Sequence, residues 1–586
     1  MKKLFCAAAA ALLLFLAVTA LADTPKDRTF YVSLSAREDG GEMPMDAVMW
    51  QRVGNKYYLF LPGAKDLGEA RVWFAGNGEI TLNGTKLRSG DRAPGLKDGE
   101  TAILRFMGKG YSVRVMQGSP IPALFINTAT GDMKKIERSK EYREAADLLL
   151  FNSDGTAGYD GALEHIKLRG HTSALFNKKG FTIKLAQKTG LLGMGKAKKW
   201  VLTSNARDHS LIRNQICFGM AAYVGMAYTP ACKPVELYLN HSYNGAYILQ
   251  EKVEIGENRI DIRDLEKATA AVNEKELSEY KAAGSAKSAK GKFKYIEIPE
   301  NPEDITGGYL LEYECSAERY NSGPSVYTTD RGKLIVVQEP EYASKAQMEY
   351  VSDFMQGFEN AIFAADGVDP GTGKRYDEYI DFDSLVLKYM LEEISKNLDG
   401  NKSSQFFYKP DDSVSRVAFA GPAWDYDSTF GDYGRAKDSK GLVVPTGFYH
   451  NTVDRNGYWW PHLYEKPEYY DAICRMWRER YAPAMRVVLG MEQDGTGRVK
   501  SIEEYAAAIE KTAAMNFILW PMRQSSENIA RCGKTFKANI EYLTDYITKR
   551  YEFLESEWGE EKSGCTGGIC ATVQEPAHDG LSGEQI

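Results

Sequence analysis

The chain has 586 residues, 43% of them hydrophobic, 26% charged and 12% aromatic. That balance excludes a disordered chain, and the length predicts two or three domains. With 73 Lys and Arg against 80 Asp and Glu the formal charge is −7, which argues against a nucleic-acid or anionic-membrane partner, since either needs a basic face.

Lys2 and Lys3 precede an apolar run from Leu4 to Val18, and Ala20-Leu21-Ala22 follows with small residues. This is the pattern of a secretory signal peptide over 1–22, too short for a membrane span. It predicts an exported chain with no span in its mature form. Seven cysteines remain: Cys217, Cys232, Cys315, Cys474, Cys532, Cys565 and Cys570. An odd number leaves at least one thiol unpaired or paired between chains. Cys565 and Cys570 are spaced to close a small loop, and the others read as core packing.

Residues 23–119 read as a small all-β sandwich. Tyr57–Leu61, Ala70–Phe74 and Ala102–Phe106 are short β-prone runs, punctuated by Pro62-Gly63, Asn77-Gly78, Asn83-Gly84 and Ser89-Gly90. The pattern resembles cadherin-like modules, and a spacer or attachment role is its default. From residue 120 to 560 the texture is α+β. Strands are expected at 166–169, 181–185, 234–239, 247–251 and 309–313, a helix from Asp208 with that residue as its cap, and another over 382–394 capped by Asp383 or Ser384. Residues 266–295, rich in Ala, Lys, Glu and Ser without apolar period, read as a solvated, mobile insertion. Residues 502–558 are helical, and 561–586 is a Gly/Cys tail expected to be disordered.

Two tempting motifs fail. Gly190 to Lys196 has P-loop spacing, but position 197 is Ala, which lacks the metal-ligating hydroxyl, and Trp200-Val201-Leu202 continues as a strand. The seven histidines show no metal-ligand spacing.

The informative stretch is 396–431. A helix ends near Asn397, a polar loop carries Asp399, a two-strand ribbon follows (405–409 and 415–419), and Asp425 and Asp427 come next in a Gly-flanked turn. A carboxylate before a hairpin and more after it is the chain order of a protein kinase, in which one Asp holds the acceptor hydroxyl and a later one the metal on the ATP phosphates. Extended backbone would put Asp425 and Asp427 on one face, suited to a hard cation; turn-capping by the same pair is the competing reading.

These residues resemble the CotH kinase family, the spore-coat-protein-H-like secreted atypical kinases. Other blocks match in order: Leu168-Arg169-Gly170-His171-Thr172-Ser173 with Lys178-Lys179-Gly180-Phe181-Thr182-Ile183-Lys184-Leu185; Trp200-Val201-Leu202 with Asp208-His209-Ser210-Leu211-Ile212-Arg213-Asn214; Asn244-Gly245-Ala246-Tyr247 through Glu251; and Trp424-Asp425-Tyr426-Asp427. The match spans roughly 120–480.

The resemblance implies an atypical protein-kinase-like domain after the sandwich, with ATP and Mg²⁺ (or Mn²⁺) as cofactors. It makes Lys179 the phosphate-binding lysine, with Lys184 as runner-up, and Glu251 the partner of that lysine or of the metal. Arg213 would brace the site, Asp399 would be the catalytic aspartate, and Asp425 and Asp427 the metal ligands. One departure stands out: five residues after Asp399, where ordinary kinases place a metal-binding Asn, this chain has Ser404, and Asn401 lies only two residues on. The implied activity is phosphorylation of Ser or Thr, in a Ser/Thr-rich segment of a secreted, coat or cell-surface protein. The alternatives are a catalytically silent surface or coat module, and a kinase-fold transferase of AMP or amino acids.

Overall fold

The computed structural model describes residues 29–35, 43–75, 79–170, 173–285, 293–314, 323–400, 403–432, 443–451, 459–522 and 533–560. The expected signal peptide and tail lie outside the described residues, as do Cys315, Cys532, Cys565, Cys570 and Asn401. Cys217 and Cys232 are free thiols. Among the described residues no helix is long and apolar enough to cross a membrane.

The fold is mixed α and β. Through 30–117, β-branched and aromatic residues between turn dipeptides give short strands. Val48–Met49, Phe30–Ser33 and Arg71–Phe74 form one sheet; Gln51–Val53, Lys56–Leu61, Lys109–Gln117, Thr101–Phe106, Ile80–Leu82 and Thr85–Leu87 form another, in that order. Both bury side chains in one core around Val32, Phe60, Val72 and Leu104. This core does not stop at residue 119, because Phe125, Phe151, Tyr238, Tyr243 and Met515 belong to it. Glu236 sits buried at the junction, accepting from Thr512 Oγ1 at 2.7 Å and from Gly63 N at 3.1 Å. Burial pushes its carboxyl up to about 8. The packing leaves no room for a side chain at Gly118, whose Cβ would stand 1.6 Å from Glu236 Oε1.

Seven strands then close a barrel: Ala123–Thr128, Glu144–Phe151, Ala157–Arg169, Gly180–Thr189, Ala197–Thr203, Ser242–Glu251 and Cys232–Leu239, the last pairing in parallel with the first. Alternation along the strands fills the interior with Ile166, Phe181, Ile183, Trp200, Leu202 and Leu249.

The chain after the barrel builds a further sheet of seven strands, ordered Ala282–Gly284, Phe293–Ile296, Val326–Thr328, Leu334–Glu339, Tyr309–Tyr313, Gln405–Lys409 and Phe419–Ala420. It shares the largest core with helices Arg213–Tyr223, Lys345–Phe363, Phe382–Ser395, Ile502–Leu519 and Phe536–Trp558. Three expectations change here. Helix Phe382–Ser395 is capped by Asp381, whose side chain accepts from Ser384 N at 2.8 Å; a carboxylate caps best from just before the first turn. The helix expected from Asp208 begins only at Arg213, because Asp208 folds forward to accept from Arg213 N at 2.8 Å. The stretch 266–295 carries helix Leu265–Ala271, capped by Asp264, and strand Ala282–Gly284 paired to Phe293–Ile296. Its buried anchors Leu265, Leu277 and Phe293 are too sparse to show a period.

Candidate active site

The site begins where helix Phe382–Ser395 ends. Lys396 adopts φ +45°, a left-handed cap that stops the helix and turns the chain back. Its ammonium is held by the carbonyls of Val444 and Thr446, each at 2.7 Å. Asn397 is therefore tucked beneath the helix, fully buried, and its amide joins three elements. Nδ2 donates to Glu392 Oε2 at 2.8 Å and to the carbonyl of Asp425 at 3.3 Å, while Oδ1 accepts from Asp399 N at 3.1 Å. Two further backbone bonds, Leu398 N to Ser428 O and Phe430 N to Ser395 O, fasten the Asp399 loop to the turn carrying Asp425 and Asp427.

That turn is anchored from below by Tyr426. Its ring is buried, its hydroxyl donates to Glu392 Oε1 at 2.7 Å, and its N–H donates to Asn214 Oδ1 at 2.8 Å. Lys388 closes the buried network on Glu392 at 2.5 Å. With Tyr426 drawn into the core, Asp425 and Asp427 are left partly exposed. They do not lie on an extended strand as expected: Asp425 has φ +66°, so a left-handed bend sets the pair. Ser404 Oγ donates to Asp425 Oδ2 at 3.3 Å, the position where an ordinary kinase carries Asn.

Burial pushes the Asp427 carboxyl above the ordinary carboxylate range, and the charges of Asp425 and Asp399 push it further; Arg207 and the Ser428 hydroxyl oppose them. A carboxylate that like charges discourage from ionising is a feature of functional clefts.

Arg213 braces the turn from the other side. Its side chain is buried, Nη1 donates to Asp208 Oδ1 at 2.6 Å, and Nε donates to the carbonyl of Thr429 at 3.0 Å. Asp432 lies 3.7 Å from the same guanidinium. Burial alone would raise the Asp432 carboxyl; His209 and Arg213 outweigh it and hold it below its usual value.

The other expected residues engage partners of their own. Lys179 donates to the carbonyl of Ala174 at 2.8 Å. Lys184 pairs with Glu164 at 2.5 Å on the barrel surface. The pairing expected between Glu251 and a lysine is not the one observed: Glu251 binds Arg259 at 2.7 Å and accepts from the backbone of Gly195 and Ala231. The physical reason is local, since Glu251 ends its strand beside the loop that brings Arg259 back over Trp200. Lys178, beside Lys179, is wholly buried, donating to Asn516 Oδ1 at 2.7 Å and to the carbonyl of Ala246, and burial pushes its ammonium well below the usual lysine range.

The donor set suits a hard cation. Three carboxylates and a hydroxyl offer oxygen alone, and a dication would relieve the repulsion that raises Asp427. Among the described residues no three His, Cys, Asp or Glu side chains are already gathered as a metal cage; Mg²⁺ needs only one or two carboxylates, the rest of its shell being water and phosphate. Sequence reading missed Asn397, Glu392, Tyr426 and Arg207. The first three are buried polar residues around the acidic pattern, and a lone arginine in a loop has no pattern at all.

The sequence matches the family model described as CotH kinase protein over residues 166–554, more than half of the chain. The chain belongs to the CotH kinase family. A search of curated proteins finds no match.

Proposed function

We propose that this protein is an exported atypical protein kinase, transferring the γ-phosphate of ATP to a Ser or Thr hydroxyl of a secreted, coat or cell-surface protein. The observation that supports the reading is Asn397 tying the loop of Asp399 to the turn of Asp425 and Asp427, with Asp427 under the charge of both other aspartates. In this reading Asp399 takes the proton of the acceptor hydroxyl as its oxygen bonds to the γ-phosphorus, the bond to the bridging oxygen breaks, and ADP leaves. Asp425 and Asp427 hold Mg²⁺ or Mn²⁺, which when bound neutralises phosphate charge. Asn397 and Arg213 fix the two loops, so the carboxylates need little rearrangement. Incubation with ATP and Mg²⁺ and a protein acceptor, followed by mass spectrometry, tests this: a gain of roughly 80 Da per site is one phosphoryl group.

One observation favours a second reading. Glu251 and Lys179 are not paired with each other, as a silent surface or coat module would allow. That reading expects no mass gain and no nucleotide binding. An adenylyl adduct in the same experiment would instead mark AMP transfer.

A further inference from the structure

Triphosphate needs a cation besides metal, and Lys179 and Lys184 are engaged with the carbonyl of Ala174 and with Glu164. Arg207 lies beside the acidic turn. Its Nη1 lies 3.4 Å from Ser428 Oγ, next to Asp427, and its guanidinium stands over the ring of Phe176, 5.2 Å from the centroid. It is half-buried. Among the described residues it closes no ion pair within 4 Å, and that long bond to Ser428 is its only hydrogen bond, so most of a five-donor fork is uncommitted. The loop that carries it is tied down on both sides. Asn205 on one side donates to the carbonyl of Leu211 at 3.0 Å. Asp208 on the other accepts from Ser210 N, Ser210 Oγ, Arg213 N and Arg213 Nη1 at 2.6–2.8 Å. A guanidinium over an aromatic ring, close to the acidic turn yet closing no ion pair with it, keeps its fork of donors for bidentate phosphate.

We propose that Arg207 is the phosphate-binding cation of this cleft, contributing its uncommitted donors to the phosphate chain of ATP. The proposal rests on the nucleotide reading above. Arg207 also supplies positive charge where the three carboxylates would otherwise repel the incoming triphosphate.

Calorimetric titration of the full chain with ATP and with adenosine, both with Mg²⁺, tests it in wild type and in Arg207→Gln. The expected result is ATP affinity lower by about 10–100-fold, the worth of a charge-assisted bidentate contact, with adenosine affinity unchanged. Equal ATP affinity in the two proteins, or equal loss of both ligands, overturns the proposal. Wild type binding neither ligand overturns it together with the nucleotide reading. If Arg207→Gln does not fold, phenylglyoxal labelling of wild type supplies the answer: ATP with Mg²⁺ should protect Arg207 where adenosine does not, and labelling that ATP leaves unchanged contradicts the assignment.

Discussion

Asn397 donates to the carbonyl of Asp425 at 3.3 Å, so the loop proposed to bear the proton acceptor and the turn proposed to bear the metal ligands are held by one buried amide. The same amide nitrogen satisfies Glu392. Asn397→Ala therefore removes a shared tie and leaves a buried carboxylate short of a donor. A stability loss of about 1–3 kcal/mol in chemical denaturation is expected, with a fall in phosphotransfer measured on the fraction that remains folded.

Arg213 is a brace in this structure, with no part assigned to it in nucleotide contact. Arg213→Ala leaves the buried Asp208 without its cation and Asp432 with His209 alone. Removing one partner from such a buried network costs about 3–5 kcal/mol. Urea unfolding should show that loss, and Arg213→Ala melting like wild type would contradict the bracing role.

Glu236 predicts a pH dependence. The folded protein holds its proton up to about pH 8, whereas the unfolded chain releases it near 4.5. Unfolding in that window releases a proton, so this group's contribution to stability is complete below pH 4.5, falls by about 1.4 kcal/mol per unit as pH rises, and is gone above 8. Glu236→Gln keeps the shape without the titration. Unfolding curves of the two proteins should converge at pH 5 and separate in favour of Glu236→Gln by pH 8; parallel curves would contradict the buried junction between the amino-terminal sheets and helix Ile502–Leu519.

Much of the frame was readable in the sequence because it rests on short-range pattern. Strands Tyr309–Tyr313 and Gln405–Lys409 and helix Phe382–Ser395 agree with their apolar periods to within a residue. The acidic pattern stands out in the sequence because Trp424-Asp425-Tyr426-Asp427 is a dense signal, with Asp399 at a set distance before it. What failed was partner choice. Glu251 takes Arg259, eight residues on, because the loop after the strand doubles back, and no spacing rule announces that. The expected edge at residue 119 failed as a packing boundary for a similar reason: Phe125, Tyr238 and Met515 are apolar wherever they lie, and only the folded chain shows that they complete the amino-terminal core.

Asp399→Asn and Asp427→Asn, compared at low and high Mg²⁺, test the central claim most directly. ATP binding by calorimetry is measured beside phosphotransfer in each protein. The account predicts that Asp399→Asn keeps Mg²⁺·ATP binding while transfer falls roughly 10²–10⁴-fold, as losing a general base does. Asp427→Asn should bind nucleotide weakly at low Mg²⁺ and recover partly at high Mg²⁺, since a charge has left a hard-cation site. Asp427→Asn transferring phosphate as well as wild type at low Mg²⁺ would contradict the account and leave the Trp-Asp-Tyr-Asp turn a structural element.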